Sequence, residues 1–544
     1  MPKIVRLLLL LILTLSLYLR TFGINWDSGF HLHPDERMII MVADKIQMDS
    51  LNPKFFAYGS FPIYLLSGVS SMLNRDNYDG MLIVGRGLSV IFDITTTLVV
   101  FYIALFVNKL KRYKPALLAS FFYCISVLPI QAAHFYAVDT TLTMLSTLTL
   151  LILIKFLEKP TTNKAVLLGI AFGLAVATKI TIVLLAVPIV FVLFSIGIKS
   201  KKIFVSRGLI ILGMTLLTFA ISMPYAIIDR LEFIKQITLQ LQMNKNAYIF
   251  PYTLQYVGAT PYVYYLKNIV LWGLGLPLGI IALISVVYQT LNDFRNTKKL
   301  ILIIFFWVYF LAVGRSAVKF MRYILPLYPL MAVFSAVLIS EVIIKFKKYK
   351  LLIVTCYLLI FSCLVWPFSF INIYKYQNTR LSATNWINNN IPYGSNIAVE
   401  HWDDRLPLAH ASEYQITDLP LYEPDNQNKW NNIVDILVNS EYIIIASNRL
   451  YIPLPKLTNC TVHKNHCYPI TTNYYNQLFS GNLGFEQTET FEVYPKVPIL
   501  NMEIDDLEAD ESFTVYDHPK IMIFKKTTNL SKSELLTKLL SNPH

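Results

Sequence analysis

Four short stretches carry residue types that together suit the transfer of a group away from a phosphate-bearing carrier. HLHPDER at 31–37 packs two imidazoles, two adjacent carboxylates and a guanidinium between an apolar run and a long apolar body. A carboxylate works as a general base once partial burial raises its proton affinity, which fits Asp35 with Glu36 beside it. Two neighbouring acids that point into one cleft also titrate apart. AHFYAVDTTLTML puts His134 and Asp139 at the mouth of another apolar run, where Asp139 suits either a helix N-cap or a second acid of the site. GRSAVKFMRY spaces Arg315, Lys319 and Arg322 at i, i+4 and i+7, one face if the segment is helical. GLAVATKITIV isolates Lys179, either as a snorkelling lysine or as a further cation. Cations gathered at head-group depth are suited to neutralising a departing phosphate. The plainer reading of HLHPDER is a solvated loop turned by Pro34.

A membrane is needed to position these groups. Of 544 residues, 55% are apolar, and apolar runs fall at about 4–19, 82–107, 115–130, 139–157, 165–178, 180–198, 204–223, 266–290, 299–313, 323–343 and 351–371. They predict a multi-spanning α-helical membrane protein with about 11 transmembrane helices. The first run is followed by YLRTFGINWD rather than a small-residue cleavage site, which favours an uncleaved anchor. Net charge is +13, divided unevenly: residues 1–371 carry 34 Lys and Arg against 14 acids, and residues 372–544 carry 13 against 20. The basic turns at 108–114, 155–164, 199–207, 292–299 and 345–350 fall on one side together with Lys3 and Arg6, which the positive-inside rule makes cytoplasmic. A multi-pass plasma-membrane protein with a cytoplasmic N-terminus follows, and every candidate residue above lies on the opposite side. No nucleic-acid-binding pattern accompanies the charge. Asp93 lies inside the second run, with Arg86 at i−7 as its expected partner.

Two outer loops are long. Loop 21–81 holds NPKFFAYGSFPIYLL, which suits a helix or turn lying in the interface. Loop 224–265 holds IDRLEFIKQITLQLQ at helical spacing, then a Tyr-rich stretch that is either a set of membrane anchors or a lid or acceptor groove. From residue 372 the pattern becomes that of an extracytoplasmic soluble α/β domain. A helix ends at Pro392, strands are expected at 396–400, 441–447 and 519–526, and a helix at NNIVDILVNS. The acidic NMEIDDLEADESF reads as a solvated loop. Cys124, Cys356 and Cys363 sit in apolar runs and read as packing residues. Cys460 and Cys467 bracket two histidines, giving either a short disulfide or a metal set of Cys460, His463, His466 and Cys467, with the disulfide favoured because the spacing is not a standard zinc pattern.

HPDE in the first outer loop, HFxxxD before the fourth span, GLAxATK and the RYxLPLYPL beginning at Arg322 resemble the dolichyl-phosphate-mannose–protein mannosyltransferase superfamily, which includes the aminoarabinose transferases (glycosyltransferase family 39-like). The resemblance covers residues 1–340 in order and spacing. It implies a GT-C-like transmembrane catalytic domain at 1–371, a polyprenyl-phosphate-linked sugar donor, and a glycan, lipid or protein acceptor outside the cytoplasm. It implies inverting single displacement with Asp35 as the essential carboxylate, Glu36 beside it and Asp139 as the second acid. The carrier phosphate would meet Lys179 and Arg322, with Lys319 and Arg315 by proximity. His33, Arg37 and His134 are possible supporting residues. Some members of the superfamily use a divalent metal near the equivalent acids; His31, His33 and His134 have the right chemistry, but hydrogen bonding explains them equally, and no metal is assigned. The tail lacks the sugar-binding repeats of the eukaryotic mannosyltransferases, which weakens the case for a protein acceptor. The competing classes are a transporter or lipid flippase and a non-catalytic cell-envelope assembly protein.

Overall fold

The computed structural model describes residues 1–108, 112–198, 200–293 and 295–541. Lys109, Lys111 and Lys199, which carry part of the charge of two basic turns, lie outside these residues. Among the described residues, eight helices are long and apolar enough to cross a membrane, or nine if the Tyr113–Cys124 and Val127–Ala133 pair, bent by 57°, is one span. Two shorter apolar helices, Thr162–Thr178 and Leu276–Asn292, occupy the remaining apolar runs. The Tyr78–Val107 helix has 30 residues, or roughly 45 Å at 1.5 Å per residue. That exceeds a ~30 Å hydrocarbon core, and Arg86 stands in the third turn from its N-terminal end.

Both long loops contain helices. Pro34–Ala43 and Ser60–Met72 occupy the first, and Arg230–Lys245 occupies the second. Between the first two, residues 52–59 form an irregular loop that bends at 57 and 58, and Gly59 packs against the end of the Thr162–Thr178 helix. A Cβ there would lie 1.8 Å from the Ala177 carbonyl oxygen, and the Gly59 N–H donates to the Thr178 carbonyl at 2.9 Å. Only glycine permits that approach, and it sets Tyr58 next to Lys179.

The tail forms a five-stranded mixed sheet, β1 (Asn396–Glu400), β2 (Gln415–Leu419), β3 (Tyr442–Ile445), β4 (Phe485–Phe491) and β5 (Ile521–Lys526), in the order β2-β1-β3-β5-β4. β1 is parallel to β2 and β3, while β5 runs antiparallel to β3 and β4. Alternate residues feed two cores. Ile397, Val399, Ile444 and Ile523 meet the Thr379–Asn390 helix, and Ala398, Ile443, Ile445 and Phe524 meet Gln427–Asn439 and Pro469–Phe479. Cys460 and Cys467 are joined in a disulfide.

Two sequence expectations fail. Asp93 pairs not with Arg86 but with Arg20 of the first helix, where the Tyr123 hydroxyl also donates to it. The acidic segment 501–513 is not a solvated loop throughout: Glu503, Asp505 and Glu508 face out, whereas Asp506 and Asp510 are buried. The chain there turns back into the membrane domain. Gln131 donates to the Phe513 carbonyl at 2.7 Å, and the Phe513 ring lies 5.2 Å from that of Phe370.

His518 fastens this return. Its Nδ1 and Nε2 reach Asp517 at 2.5 Å and Asp506 at 2.9 Å. Burial disfavours the imidazolium, but the two carboxylates outweigh it and push the pKa up to about 10. Both ring nitrogens therefore donate at neutral pH. A raised folded value stabilises fully below the ordinary value of roughly 6.5 and is lost as pH rises through about 10. Protease nicking of segment 501–518 is expected to accelerate between pH 8 and 10, and a flat rate across that window would refute the arrangement.

Candidate active site

Within HPDE, His33 closes the N-terminus of the Pro34–Ala43 helix by accepting the Glu36 N–H on Nδ1 at 3.3 Å, and Pro34 takes the first helical position. Successive helical residues are rotated by about 100°, so the two acids part company. Asp35 turns toward the Met321–Leu327 segment. Glu36 turns into the core, fully buried, against Arg86 and the Tyr136 N–H. Glu36 therefore does not share the cleft with Asp35, contrary to its placement as a catalytic acid from sequence.

Asp35 collects partners from two other segments. The Tyr58 hydroxyl donates to its Oδ1 at 2.6 Å, and Arg322 Nη2 lies 2.7 Å from its Oδ2. Arg322 Nε reaches Asp139 Oδ2 at 3.6 Å, and Lys179 Nζ donates to Asp139 Oδ1 at 3.0 Å. The Arg322 guanidinium rests on the Phe320 ring at 4.5 Å and the Lys179 ammonium on Tyr323 at 4.4 Å. Two acids and two cations, drawn from positions up to 287 residues apart, form one chain of charge contacts. Burial alone would raise the Asp35 pKa, but Arg322, His33 and the Tyr58 hydrogen bond overcome it and hold the carboxyl below its ordinary range. Burial and Asp35 push the Tyr58 phenol well up, so it stays a donor.

Asp139 does not cap its helix. Ala137 occupies the N-cap position of Val138–Glu158, and Asp139 spends its carboxylate on Lys179 and Arg322. The face-of-a-helix expectation for Arg315, Lys319 and Arg322 also fails, because 315–320 is a loop between two spans. Arg315 is exposed, and Lys319 turns its ammonium onto the carbonyls of Ser316 and Ala317 at 2.7 and 3.2 Å. Arg37 points to the tail and pairs with Asp404 at 3.1 Å. His134 is buried with its ring nitrogens 2.9 and 3.0 Å from the Ile130 and Phe22 carbonyl oxygens. His31 meets Asp79 at 3.2 Å. The three histidines thus face different groups, and both acids are engaged by cations, so the donor set does not fit a metal. Among the described residues no group of three or more His, Cys, Asp or Glu is placed to hold one.

The cluster separates two spaces. A cavity of about 950 Å³ is lined by Tyr58, Lys179, Tyr309, Tyr323, Arg315 and Lys319, and continues along Ile180, Leu184, Phe219 and Met223. On the other side a narrow cleft runs between His33, Gln131, Asp139 and Arg322 of the membrane domain and Phe513 and Tyr516 of the tail. No motif singles out Tyr58, Tyr323 or Tyr516 among 33 tyrosines. The one available signal was the neighbouring Gly59, which marks a close backbone approach.

Residues 81–228 match the family model of dolichyl-phosphate-mannose-protein mannosyltransferases. No curated protein is similar to the chain in sequence. Its fold is similar to that of the oligosaccharyltransferase AglB from Archaeoglobus fulgidus in complex with an inhibitory peptide and a dolichol-phosphate. The TM-score is 0.54 at 14% identity, over 87% of this chain and 72% of that one. It is similar also to ArnT from Cupriavidus metallidurans bound to undecaprenyl phosphate, with TM-score 0.50 and 13% identity over 83% of this chain and 94% of that one. The family model spans two of the four motifs that carry the resemblance, HFxxxD and GLAxATK, and the two structures bear out the GT-C-like fold, a multi-pass helical membrane body with a small C-terminal sheet domain.

Proposed function

We propose that the protein is a membrane glycosyltransferase that moves a sugar from a polyprenyl-phosphate carrier to an extracytoplasmic hydroxyl. The observation that carries this reading is the position of one carboxylate–cation cluster between a large apolar cavity and a cleft roofed by the tail. A polyprenyl chain fits the apolar side, with its phosphate at Lys179 and Arg322. An acceptor approaches by way of the cleft that His33, Asp139 and Arg322, the neighbours of Asp35, line on the other side. The match of residues 81–228 to the dolichyl-phosphate-mannose-protein mannosyltransferase model, and a fold similar to a dolichol-phosphate and an undecaprenyl-phosphate complex, support the same chemistry. Residues 1–371 serve as the catalytic body with a cytoplasmic N-terminus, and 372–544 serve as an extracytoplasmic domain on the acceptor side.

In this mechanism Asp35 takes the acceptor proton, the hydroxyl attacks the anomeric carbon with inversion, and carrier phosphate departs toward the two cations. Preorganised positive charge at the leaving group supplies the largest share of the acceleration. Lys319 and Arg315 border the path of the carrier without touching the cluster. The test is to incubate the purified protein with a panel of polyprenyl-phosphate sugars and follow carrier release, which should occur with at least one donor. In the same assay, Arg322→Ala should weaken binding of polyprenyl monophosphate roughly a hundredfold, the worth of about two charge-assisted hydrogen bonds. Wild-type affinity in that variant would remove Arg322 from the phosphate site.

A further inference from the structure

The four charges of the cluster cancel. Arg322 and Lys179 are both occupied by carboxylates, so the site has no net attraction for the phosphate it is proposed to hold. The two contacts of Asp35 differ in kind. Tyr58 makes a well-directed hydrogen bond to Oδ1. Oδ2 is buried and 2.7 Å from Arg322, yet makes no hydrogen bond of acceptable direction. The Arg322 contact is thus mainly electrostatic, and a competing anion can take it over without breaking a directed bond.

We infer that donor phosphate exchanges places with the two carboxylates, drawing Arg322 from Asp35 and Lys179 from Asp139, and that Tyr58 is the positioning residue that then holds Asp35 with Oδ2 turned free toward the acceptor. The inference rests on the reading of the cluster as a carrier-phosphate site. It makes the reaction ordered, donor before acceptor, because Asp35 is a poor base while Arg322 neutralises it.

The charges of the transfer step fit this exchange. The acceptor O–H breaks and its proton passes to Asp35. The acceptor oxygen bonds to the anomeric carbon, and the bond from that carbon to the phosphate oxygen breaks, its electron pair leaving with the carrier. The phosphodiester starts with one negative charge and the departing monoester has two, while Asp35 goes from one to none. Arg322 therefore meets a growing anion as its former partner becomes neutral.

The test is calorimetric titration of the full chain in detergent with a polyprenyl monophosphate, alongside carrier release from the donor identified above. Removing the competing carboxylate should tighten the phosphate: Asp35→Asn should gain about tenfold in affinity, and Asp139→Asn should also gain. Glu508→Gln, which removes an exposed acid of the tail paired with Lys267, should leave affinity unchanged, showing that net charge is not the cause. Tyr58→Phe should bind phosphate within twofold of wild type and lose about tenfold in kcat. Unchanged or weaker binding in both Asp35→Asn and Asp139→Asn overturns the exchange, as does an equal gain in Glu508→Gln. Full turnover in Asp35→Asn with tighter binding overturns Asp35 as the base but leaves the exchange standing, so the two ideas fail separately.

Discussion

Asp35→Asn is expected to lower the rate of carrier release at saturating donor on the order of 10³-fold, within the span that a positioned general base contributes. Asparagine keeps the volume of aspartate and an oxygen that can accept from Tyr58, so the hydrogen bond at 2.6 Å has a counterpart in the variant. It cannot take a proton. The loss should fall on kcat, because the carrier phosphate meets Lys179 and Arg322 rather than Asp35, and KM for the donor should stay level or drop. A structural defect would instead raise KM and lower the amount of folded protein. Asp35→Glu separates the cases further: the longer side chain keeps the charge but shifts the carboxylate by one bond away from Tyr58, so activity should fall by less than in the asparagine variant. The acid limb of the wild-type profile carries the sign of the Arg322 contact. With its carboxyl held below the ordinary range, Asp35 should place the acid limb of kcat/KM below the pH at which a free aspartate titrates. The kcat limb, which reports the donor complex, should lie at higher pH if Arg322 has moved to the phosphate. Turnover of Asp35→Asn within tenfold of wild type would sink the base assignment.

How much of this could be read from the sequence depended on whether a property is local. The apolar runs were legible because each needs only its own composition, and all eleven fall on helical segments, the 266–290 run broken before Leu276. Asp139, Lys179 and Arg322 could be chosen as charges at the edges of apolar runs and Asp35 from the HPDE motif of the first outer loop, and the structure brings these four together. What failed was partner choice. Arg86 and Asp93 share a helix face, but seven residues separate them by roughly 10 Å along the axis. That is too far for an ion pair, and each finds its partner on another element. Asp35 and Glu36 looked equivalent as adjacent acids, and only the helix started by His33 and Pro34 turns one to the cleft and the other to the core. In 501–513 three acids face outward and three inward, and the composition hides Asp506, Asp510 and Glu511. His518, five residues past that stretch, is what makes a buried acid tolerable there.

The second large effect concerns a group that touches no substrate. Arg86 is fully buried and uses all five of its N–H donors. Nε and Nη2 donate to Glu36 at 3.0 and 2.7 Å, Nη1 and Nη2 to Asp27 at 2.9 and 2.8 Å, and Nη1 to the Ile24 carbonyl at 2.9 Å. The planar fork thereby ties the loop before the Pro34–Ala43 helix, the helix itself and the Tyr78–Val107 span into one unit, and Asp35 is carried on that unit. Arg86→Met leaves two carboxylates buried without a counter-charge. Breaking a buried pair in this way costs about 3–5 kcal/mol, against a typical total stability of about 5–15 kcal/mol. The variant is therefore expected to aggregate on detergent extraction or to unfold a few degrees below wild type, since the shift in midpoint falls as chain length grows. Arg86→Lys should recover little, since an ammonium has three donors and cannot span both acids bidentately. Removing the stranded charges as well, in Arg86→Met with Asp27→Asn and Glu36→Gln, should restore part of the thermal midpoint. The restored protein should still turn over slowly, because nothing then fixes the helix that carries Asp35. A single Arg86→Met protein that extracts as a monodisperse species with the wild-type midpoint would show that the triad does not hold the site in place.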